Sequence, residues 1–230
     1  MTMDPKKLRQ VIVFQSATDD DLNLIAQHSI ERSLEEGEFF FFQGDPATYA
    51  YILVSGRAKL MQTSLAGQQV NLRTISEWEM FGALGAVREN ANYPATAQAM
   101  EQCTALAIKS EDLQEMMATR PYLSFDLMKL MTNYIQEMQQ RYRELATEKV
   151  ERRIARSLLR LAAQMGTKMD SGIELTFTRQ DLAEMSGTTL YTVSRVLSDW
   201  ERQGLVEAGR ERVLIRNPHG MVSIAEELNP

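Results

Sequence analysis

The sequence has few of the residues on which metal centres and nucleophilic catalysis depend. Its 230 residues include one cysteine, Cys103, and two histidines, His28 and His219, which lie far apart. A single cysteine cannot form an internal disulfide, and it excludes cysteine-rich zinc and iron–sulfur frameworks. Catalytic triads and most zinc sites need several such side chains together. The composition therefore argues against an enzyme and favours a reducing compartment.

Long apolar runs are also missing. A charge interrupts each apolar stretch after a few residues, whereas a membrane-spanning helix needs roughly 20 apolar residues. Residues 1–14 carry three basic residues but neither an apolar core nor a small-residue cleavage site, so we predict no export signal. With 44% hydrophobic residues and only 6 prolines and 12 glycines, we expect a folded globular chain without membrane contact, located in the cytoplasm.

The charge is divided unevenly along the chain, although its net value is -6. Residues 1–150 carry 14 basic and 20 acidic residues, and residues 151–216 carry 11 basic and 9 acidic residues. The later segment can approach a polyanion if its arginines share one face. Four of these arginines form a run that is either a solvated surface or a surface for the DNA backbone: Arg152, Arg153, Arg156 and Arg160.

Residues 34–109 have the pattern of a β domain. Short apolar runs recur at a spacing of roughly 8–12 residues and are broken by turn signals at residues 44–46 and 92–94, which predicts a sandwich or barrel. Before this region, Thr18 and three following acidic residues predict a capped helix over residues 19–31.

A long helix is predicted after the β domain. Pro121 suits the first turn of a helix, and residues 122–165 contain neither glycine nor proline. Thr147 is placed to cap a separate helix, which puts a hinge at residues 146–149. The first helix carries an apolar stripe at heptad spacing: Leu127, Met131, Tyr134, Met138 and Leu145. This stripe either pairs with a second helix or packs on the chain's own β domain.

Residues 173–216 predict a strand, two helices joined by a turn, and two further strands. Thr178 is placed to cap the first helix, Gly187 supplies the turn, and the second helix covers residues 190–203. The second helix presents polar residues outward, among them Arg195, which is long enough for a bidentate contact with guanine. The spacing of the apolar residues fits a helix-turn-helix, and the flanking strands argue against a hairpin that serves only as core.

Several segments closely resemble the Crp/Fnr family of bacterial transcription regulators. The family's winged helix-turn-helix is resembled by residues 178–183, 187–189, 192–195 and 203–206. Its cyclic-nucleotide-binding-type jelly roll is resembled by Gly37 and by residues 43–45, 51–56 and 81–85. It implies an α+β fold in three parts: an effector-sensing jelly roll over residues 1–120, a dimerisation helix over 121–147, and a winged helix-turn-helix DNA-binding domain over 148–230.

The resemblance implies a homodimer that binds near-palindromic double-stranded operator DNA and contacts RNA polymerase, with recognition helices about 34 Å apart. By position, the DNA-binding residues are Arg179, Gln180, Thr188, Thr189, Tyr191, Thr192, Ser194 and Arg195. Arg179, Gln180, Thr189 and Thr192 are expected at phosphates, and Tyr191, Ser194 and Arg195 at bases. Leu190 and Tyr191 depart from the family's best-known patterns, which leaves the half-site sequence open.

The same resemblance argues against cAMP as the effector. Relatives that bind cAMP hold it with a Gly-Glu pair and an Arg-Ser pair, whereas the corresponding positions here are Gly82-Ala83 and Tyr93-Pro94. The carboxylate for the ribose and the guanidinium for the phosphate are both missing. The chain also lacks the N-terminal cysteines of an Fnr-type iron–sulfur cluster. The effector site is expected at Gly82, Ala83, Leu84, Tyr93, Pro94 and Tyr134.

Residues 92–99 and 187–195 resemble the Dnr/NnrR branch of the family, which implies sensing of nitric oxide through haem and control of denitrification genes. Haem iron needs an axial donor, for which His28 is the candidate and Cys103, Tyr93 or one of several methionines a substitute. His28 and Cys103 are equally typical of ordinary packing residues.

Three alternatives remain: a Crp/Fnr regulator with another small ligand, an effector-binding module that acts on a protein partner, and a hydrolase or lyase on a jelly-roll scaffold. The enzyme alternative is opposed by the absence of histidine from residues 34–109.

Overall fold

The computed structural model describes residues 4–64, 67 and 69–226. The chain divides into two compact units, Met1–Glu137 and Met138–Pro230. The division lies inside one long helix, α4 (Pro121–Thr147), and not at either of its ends. In the described ranges, the helices are too short or too polar to cross a membrane.

The first unit begins with two short 3-10 helices, Pro5–Gln10 and Ile12–Phe14, and with helix α1 (Asp19–Gln27). The predicted cap is present, because the Thr18 hydroxyl accepts a hydrogen bond from the Asp21 amide at 3.2 Å. Helix α1 is shorter than the predicted 19–31. Its predicted last turn instead belongs to a strand, where backbone pairing with a distant segment replaces the helical hydrogen bonds.

Two four-stranded antiparallel sheets follow, with strand orders β1-β8-β3-β6 and β2-β7-β4-β5, which confirms the predicted jelly-roll type of β domain. One of the predicted apolar runs of the β domain covers residues 80–86, but it is only partly a strand, because it continues as helix α2 (Ala83–Ala86). The strands are β1 (Ser29–Leu34), β2 (Phe39–Phe41), β3 (Tyr49–Ser55), β4 (Ala58–Thr63), β5 (Gln69–Ile75), β6 (Met80–Phe81), β7 (Thr96–Ala99) and β8 (Cys103–Lys109).

Helix α3 (Ser110–Thr119) and the start of α4 pack on this β domain. Leu127 is buried in the core, and Met131 and Tyr134 lie partly buried against it, so this half of the predicted stripe packs on its own domain. The other half, Met138 and Leu145, is exposed. A second set of large apolar side chains on α4 is also exposed: Phe125, Met128, Ile135 and Tyr142.

The second unit is a helix-turn-helix with a four-stranded antiparallel sheet of order β11-β12-β10-β9. Two residues separate the end of α4 from α5, within the predicted hinge, although Lys149 and not Thr147 is the N-cap. The sequence did not predict α3, β9 or α8. The elements are α5 (Val150–Met165), β9 (Thr167–Met169), β10 (Gly172–Thr176), α6 (Arg179–Ser186), α7 (Leu190–Arg202), β11 (Val206–Ala208), β12 (Arg212–Ile215) and α8 (Pro218–Glu226).

Candidate nucleic-acid interface

Local capping fixes both ends of α6. The Thr178 hydroxyl accepts a hydrogen bond from the Asp181 amide at 3.1 Å, and the Asp181 carboxylate accepts one from the Thr178 amide at 3.2 Å. At the other end, Gly187 has a φ of +61°, a left-handed conformation that favours glycine. A Cβ atom at Gly187 would lie 2.5 Å from Leu145 Cδ2. The helix-turn-helix corner therefore lies directly against the end of α4.

Helix α7 has one buried and one exposed face. Thr189 caps it by accepting a hydrogen bond from the Thr192 amide at 3.2 Å. The buried face packs into the core shared with α5 and α6 and consists of Val193, Val196, Leu197 and Trp200. The exposed residues of the first three turns are Leu190, Tyr191, Arg195 and Ser198. Because packing against the unit uses only the buried face, the exposed face is available for contact with another molecule.

The predicted DNA-binding residues of α6 and α7 meet at one hydrogen bond, from Arg179 Nη1 to Ser194 Oγ at 3.4 Å. Ser194 is half-buried, so its hydroxyl serves to orient Arg179. The Arg179 Nε atom is buried and lacks a hydrogen-bond partner within the described residues. Gln180 is exposed and donates to Glu184 Oε1 at 2.9 Å.

The remaining predicted contacts lie at the start of α7. Thr188 is half-buried, and its amide donates to the Ala183 carbonyl at 3.0 Å, which closes the turn. The Thr189 and Thr192 hydroxyls lie 2.9 Å apart. Tyr191 is 78% exposed, and Arg195 is also exposed. The structure thus gathers hydroxyls, one phenol and one guanidinium at the N-terminal half of this helix.

The charge on this surface suits a polyanion. The first turn of α7 has no acidic residue, and the N-terminus of a helix carries partial positive charge. Within the described ranges, Arg195 and Arg210 have exposed side chains without an ion-pair partner. Arg210 lies between β11 and β12, and it was not among the predicted DNA-binding residues because a short turn carries no helical pattern. Arg216, at the opposite end of the β11–β12 hairpin, pairs with Glu207, to which it donates a hydrogen bond and whose pKa it lowers.

The arginine run on α5 has neither of its predicted roles, because its members bind groups within the second unit. Arg160 and Arg156 pair with Glu144, with nitrogen–oxygen distances of 3.0 and 3.6 Å. Arg153 donates to the carbonyls of Ser186 and Gly187 at 3.1 and 3.2 Å. Arg152 likewise lies near the Ala225 carbonyl of α8 at 3.4 Å. This cluster holds helices together and is not a solvated or DNA-facing surface.

The expected effector residues of the β domain include a buried aromatic ring. Tyr93 is 3% exposed, its ring stacks on Phe41 with centroids 3.8 Å apart, and its hydroxyl donates to the Tyr49 carbonyl at 2.7 Å. Burial raises the pKa of the Tyr93 hydroxyl, so the side chain is neutral at pH 7. A neutral ring therefore stands where the resemblance places the phosphate-binding guanidinium of cAMP-binding relatives.

The other expected effector residues lie at the surface or have partners. Gly82, with a φ of +73°, is the N-cap of α2, in which Ala83 is buried and Leu84 is exposed. Pro94 is exposed, and its carbonyl accepts a hydrogen bond from Gln62 at 2.8 Å. The Tyr134 ring lies 4.3 Å from the Arg73 guanidinium, beside a cavity of about 90 Å³.

The candidate haem ligands have other partners. His28 caps the C-terminus of α1, is 43% exposed, and has its Nδ1 atom 3.3 Å from the Asp112 carboxylate. Cys103 is buried, which raises the pKa of its thiol, and its Sγ donates to the Arg57 carbonyl at 3.0 Å. Throughout the described part of the chain, no three His, Cys, Asp or Glu side chains form a metal-binding group. In this structure His28, Cys103 and Tyr93 therefore each contact another protein group.

Family models match both units. Residues 31–120 match the cyclic nucleotide-binding domain, and residues 152–224 match the Crp-like helix-turn-helix domain. The transcriptional activator protein anr of Pseudomonas aeruginosa is 31% identical over 196 residues, which cover 84% of this chain and 80% of that protein. The cyclic AMP receptor protein of Thermus thermophilus is 28% identical over 213 residues, which cover 93% and 96%.

Solved structures have the same fold. The c-di-GMP-responsive global regulator CLP of Xanthomonas campestris aligns with a TM-score of 0.75 and 24% identity, over 82% of this chain and 94% of that one. A cyclic nucleotide-binding-type β domain followed by a Crp-like helix-turn-helix defines a DNA-binding transcription regulator. The chain belongs to the Crp/Fnr family of these regulators.

Proposed function

We propose that the protein is a homodimeric regulator that binds a near-palindromic operator under the control of an effector in its β domain. The observation that supports this most directly is Arg195, whose guanidinium projects from the exposed face of α7 and has no ion-pair partner within the described residues. Its opposite face is held in a rigid core by Val193 and Val196. A helix fixed in this way can place one guanidinium reproducibly at a base edge in the major groove.

The roles at DNA follow from the position and chemistry of each side chain. Arg195 reads guanine O6 and N7, and the half-buried Arg179 presents its guanidinium to a phosphate. Gln180 and the hydroxyl groups at the start of α7 also contact the backbone, and Arg210 adds a contact from the turn between β11 and β12. Phosphate contacts set the position of the protein on the duplex, and the base contact gives it specificity.

The homodimer is supported by the exposed apolar side chains of α4. In the first unit these are Phe125, Met128 and Ile135, and in the second unit Met138, Tyr142 and Leu145. Their spacings of three, four and seven residues suit a paired helix, and a second copy of α4 would remove them from water. Such a dimer presents two recognition helices to half-sites about 34 Å apart and, as a family member, is expected to contact RNA polymerase.

The effector is proposed to be something other than a cyclic nucleotide, because Tyr93 and Ala83 offer neither a guanidinium nor a carboxylate. The resemblance to the Dnr/NnrR branch, which controls denitrification genes, makes nitric oxide the first ligand to test. Haem as its carrier rests on that resemblance alone. A visible spectrum of protein purified after haem supply would show a haem band that shifts with nitric oxide, and a featureless spectrum would overturn the haem version.

Sequence-specific DNA binding is tested by selecting sites from random duplexes and comparing the wild type with Arg195→Ala. We expect the variant to lose about 10- to 100-fold discrimination at one guanine per half-site. Arg202→Ala is the matched control, because Arg202 is exposed on the same helix but pairs with Asp199. An equal loss of affinity for all DNA would refute the role of Arg195. A wild type without salt-dependent DNA affinity would favour a module that acts on a protein partner.

A further inference from the structure

Two large apolar side chains are exposed at the start of the recognition helix α7. Leu190 is 48% exposed and Tyr191 is 78% exposed, and both lie in the first turn after the Thr189 cap. Neither belongs to the hydrophobic core of the second unit, to which this helix contributes Val193 and Val196 among others. Adjacent apolar residues of this size at a surface mark a contact with another molecule.

The surroundings of this pair indicate which kind of molecule it contacts. The neighbouring side chains are the hydroxyls of Thr189 and Thr192 and the unpaired guanidinium of Arg195, and the first turn of α7 has no acidic residue. Arg179, with an unsatisfied buried Nε–H, lies beside the same helix. Hydrogen-bond donors and positive charge around a small apolar patch suit a nucleic-acid groove better than an apolar protein surface.

The major groove of DNA offers one apolar group, the C5 methyl of thymine. We propose that Leu190 and Tyr191 recognise thymine methyl groups next to the guanine that Arg195 reads. This inference rests on the proposed function and adds the base composition of the half-site. Tyr191 and Arg195 are four positions apart and lie on one face of the helix, separated by a rise of about 6 Å.

This rise sets the distance between the recognised bases. Bases in one strand of B-form DNA are spaced by about 3.4 Å, so the recognised thymines lie one or two base steps from the guanine. Removing one buried methyl group weakens binding about fourfold. Because the contact is apolar, it leaves the number of phosphate contacts and the salt dependence of binding unchanged.

The test replaces thymine by deoxyuridine, which keeps the base pair and lacks only the methyl group. Operator duplexes selected with the full-length wild type receive single replacements at every thymine of a half-site. We expect binding to weaken about fourfold at one or two positions within two steps of the guanine that Arg195→Ala identifies. Each of the variants Leu190→Ala and Tyr191→Ala should lose the preference at the one thymine that its missing side chain contacts. There it should bind the thymine duplex and the deoxyuridine duplex equally well.

Two further variants test whether the contact is apolar and whether it is confined to the start of α7. Tyr191→Phe keeps the ring and should keep the preference for thymine, whereas a loss of preference in this variant would assign the recognition to the hydroxyl and overturn the proposal. Ser198→Ala, an exposed position farther along α7, should retain full sensitivity to uracil. Circular dichroism of each variant confirms that α7 is folded.

The outcomes distinguish this inference from the proposed function. Tight, sequence-specific DNA binding that is indifferent to uracil at every position would overturn the thymine proposal and leave the DNA-binding function intact. The same holds if Leu190→Ala and Tyr191→Ala keep their DNA specificity and instead lose binding to RNA polymerase, which would make the pair a protein contact. A wild type with no salt-dependent DNA binding would overturn both.

Discussion

Glu144 on α4 accepts hydrogen bonds from Arg160 on α5, with Arg160 Nη1 lying 3.1 and 3.0 Å from the two carboxylate oxygens. Glu144 is only 3% exposed and also accepts a hydrogen bond from Gln140 at 2.9 Å. The hydrogen bonds from Arg160 span the break at residues 148 and 149, so they fix the end of α4 against α5. Since Arg153 of α5 binds the carbonyls at the helix-turn-helix corner, the end of α4 is connected to that corner by direct contacts.

Removing the charge of Glu144 is expected to destabilise the second unit. In Glu144→Gln, Arg160 and Arg156 lose their shared carboxylate while the side-chain volume is retained. We expect the free energy of unfolding at pH 7 to fall by about 1–3 kcal/mol, measured by urea denaturation. Glu151→Gln, an exposed position on α5, is the control and should change it by less than about 0.5 kcal/mol. Equal stabilities of the two variants would contradict the role of Glu144.

The stabilisation by Glu144 should depend on pH. Burial disfavours the charged carboxylate, but the hydrogen bond from Gln140 and the charge of Arg160 outweigh burial and hold the pKa of Glu144 below its ordinary value of 4.5. A folded-state pKa below the unfolded one gives stability that is present above pH 4.5 and is lost as the pH falls through the folded value. The difference between wild type and Glu144→Gln should therefore shrink below pH 4.5. A difference that stays constant from pH 7 to pH 3 would contradict this.

The loss of stability caused by Gly187→Ala is expected to depend on the side chain of Leu145. Gly187→Ala strains a φ of +61° and also places a methyl group 2.5 Å from Leu145 Cδ2, so we expect a loss of about 2 kcal/mol. Gly204→Ala is a matched control for the backbone strain, since its φ is +72° and nothing lies within 4 Å of the added Cβ. In a Leu145→Ala background, the cost of Gly187→Ala should fall towards that of Gly204→Ala. If the cost is unchanged there, the close approach is not the cause.

The local signals of the helix-turn-helix were sufficient to predict it from sequence. Thr178, which is followed by an acidic residue, caps the start of α6, and a glycine forms the turn at its end. Both signals depend only on residues nearby in sequence, and the structure contains both. Contacts between residues distant in sequence have no such signal. The end of α1 was missed because Ser29 pairs with Ile108, and the partners of the α5 arginines were missed because Ser186 and Ala225 bind them through backbone carbonyls.

The stripe on α4 shows a second limit of sequence reasoning. Periodicity identified one apolar stripe, which begins at Leu127, although Phe125, Met128 and Ile135 also recur at helical spacing. Only the packing of the β domain determines that Leu127 lies inside and Phe125 outside. At the candidate effector site, motif comparison identified a missing guanidinium, but it gave no indication that Tyr93 stacks on Phe41.

The Tyr93 hydroxyl is expected to stabilise the β domain. It donates to the Tyr49 carbonyl at 2.7 Å and accepts a hydrogen bond from the Tyr49 amide at 3.0 Å. Tyr93→Phe removes both bonds and keeps the stacked ring, so thermal unfolding should report a loss of about 1–2 kcal/mol. Tyr191→Phe, at an exposed position on α7 and measured without DNA, controls for the loss of a hydroxyl group and should be neutral. A neutral Tyr93→Phe would mean that water replaces these bonds without cost.

The exposed side of α4 is expected to determine the oligomeric state. Ile135→Glu introduces a charge at an exposed apolar position that a second α4 would bury, so the dimer should weaken by about 3 kcal/mol, or about 100-fold in dissociation constant. Gln136→Glu makes the same charge change at the adjacent exposed polar position and should leave the dimer intact. Sedimentation velocity measures the dissociation constant of the dimer in both variants. In gel shifts, only Ile135→Glu should lose affinity for an operator with two half-sites, and it should keep weak binding to single half-sites. A dimer of unchanged strength in Ile135→Glu would place the interface elsewhere on the chain.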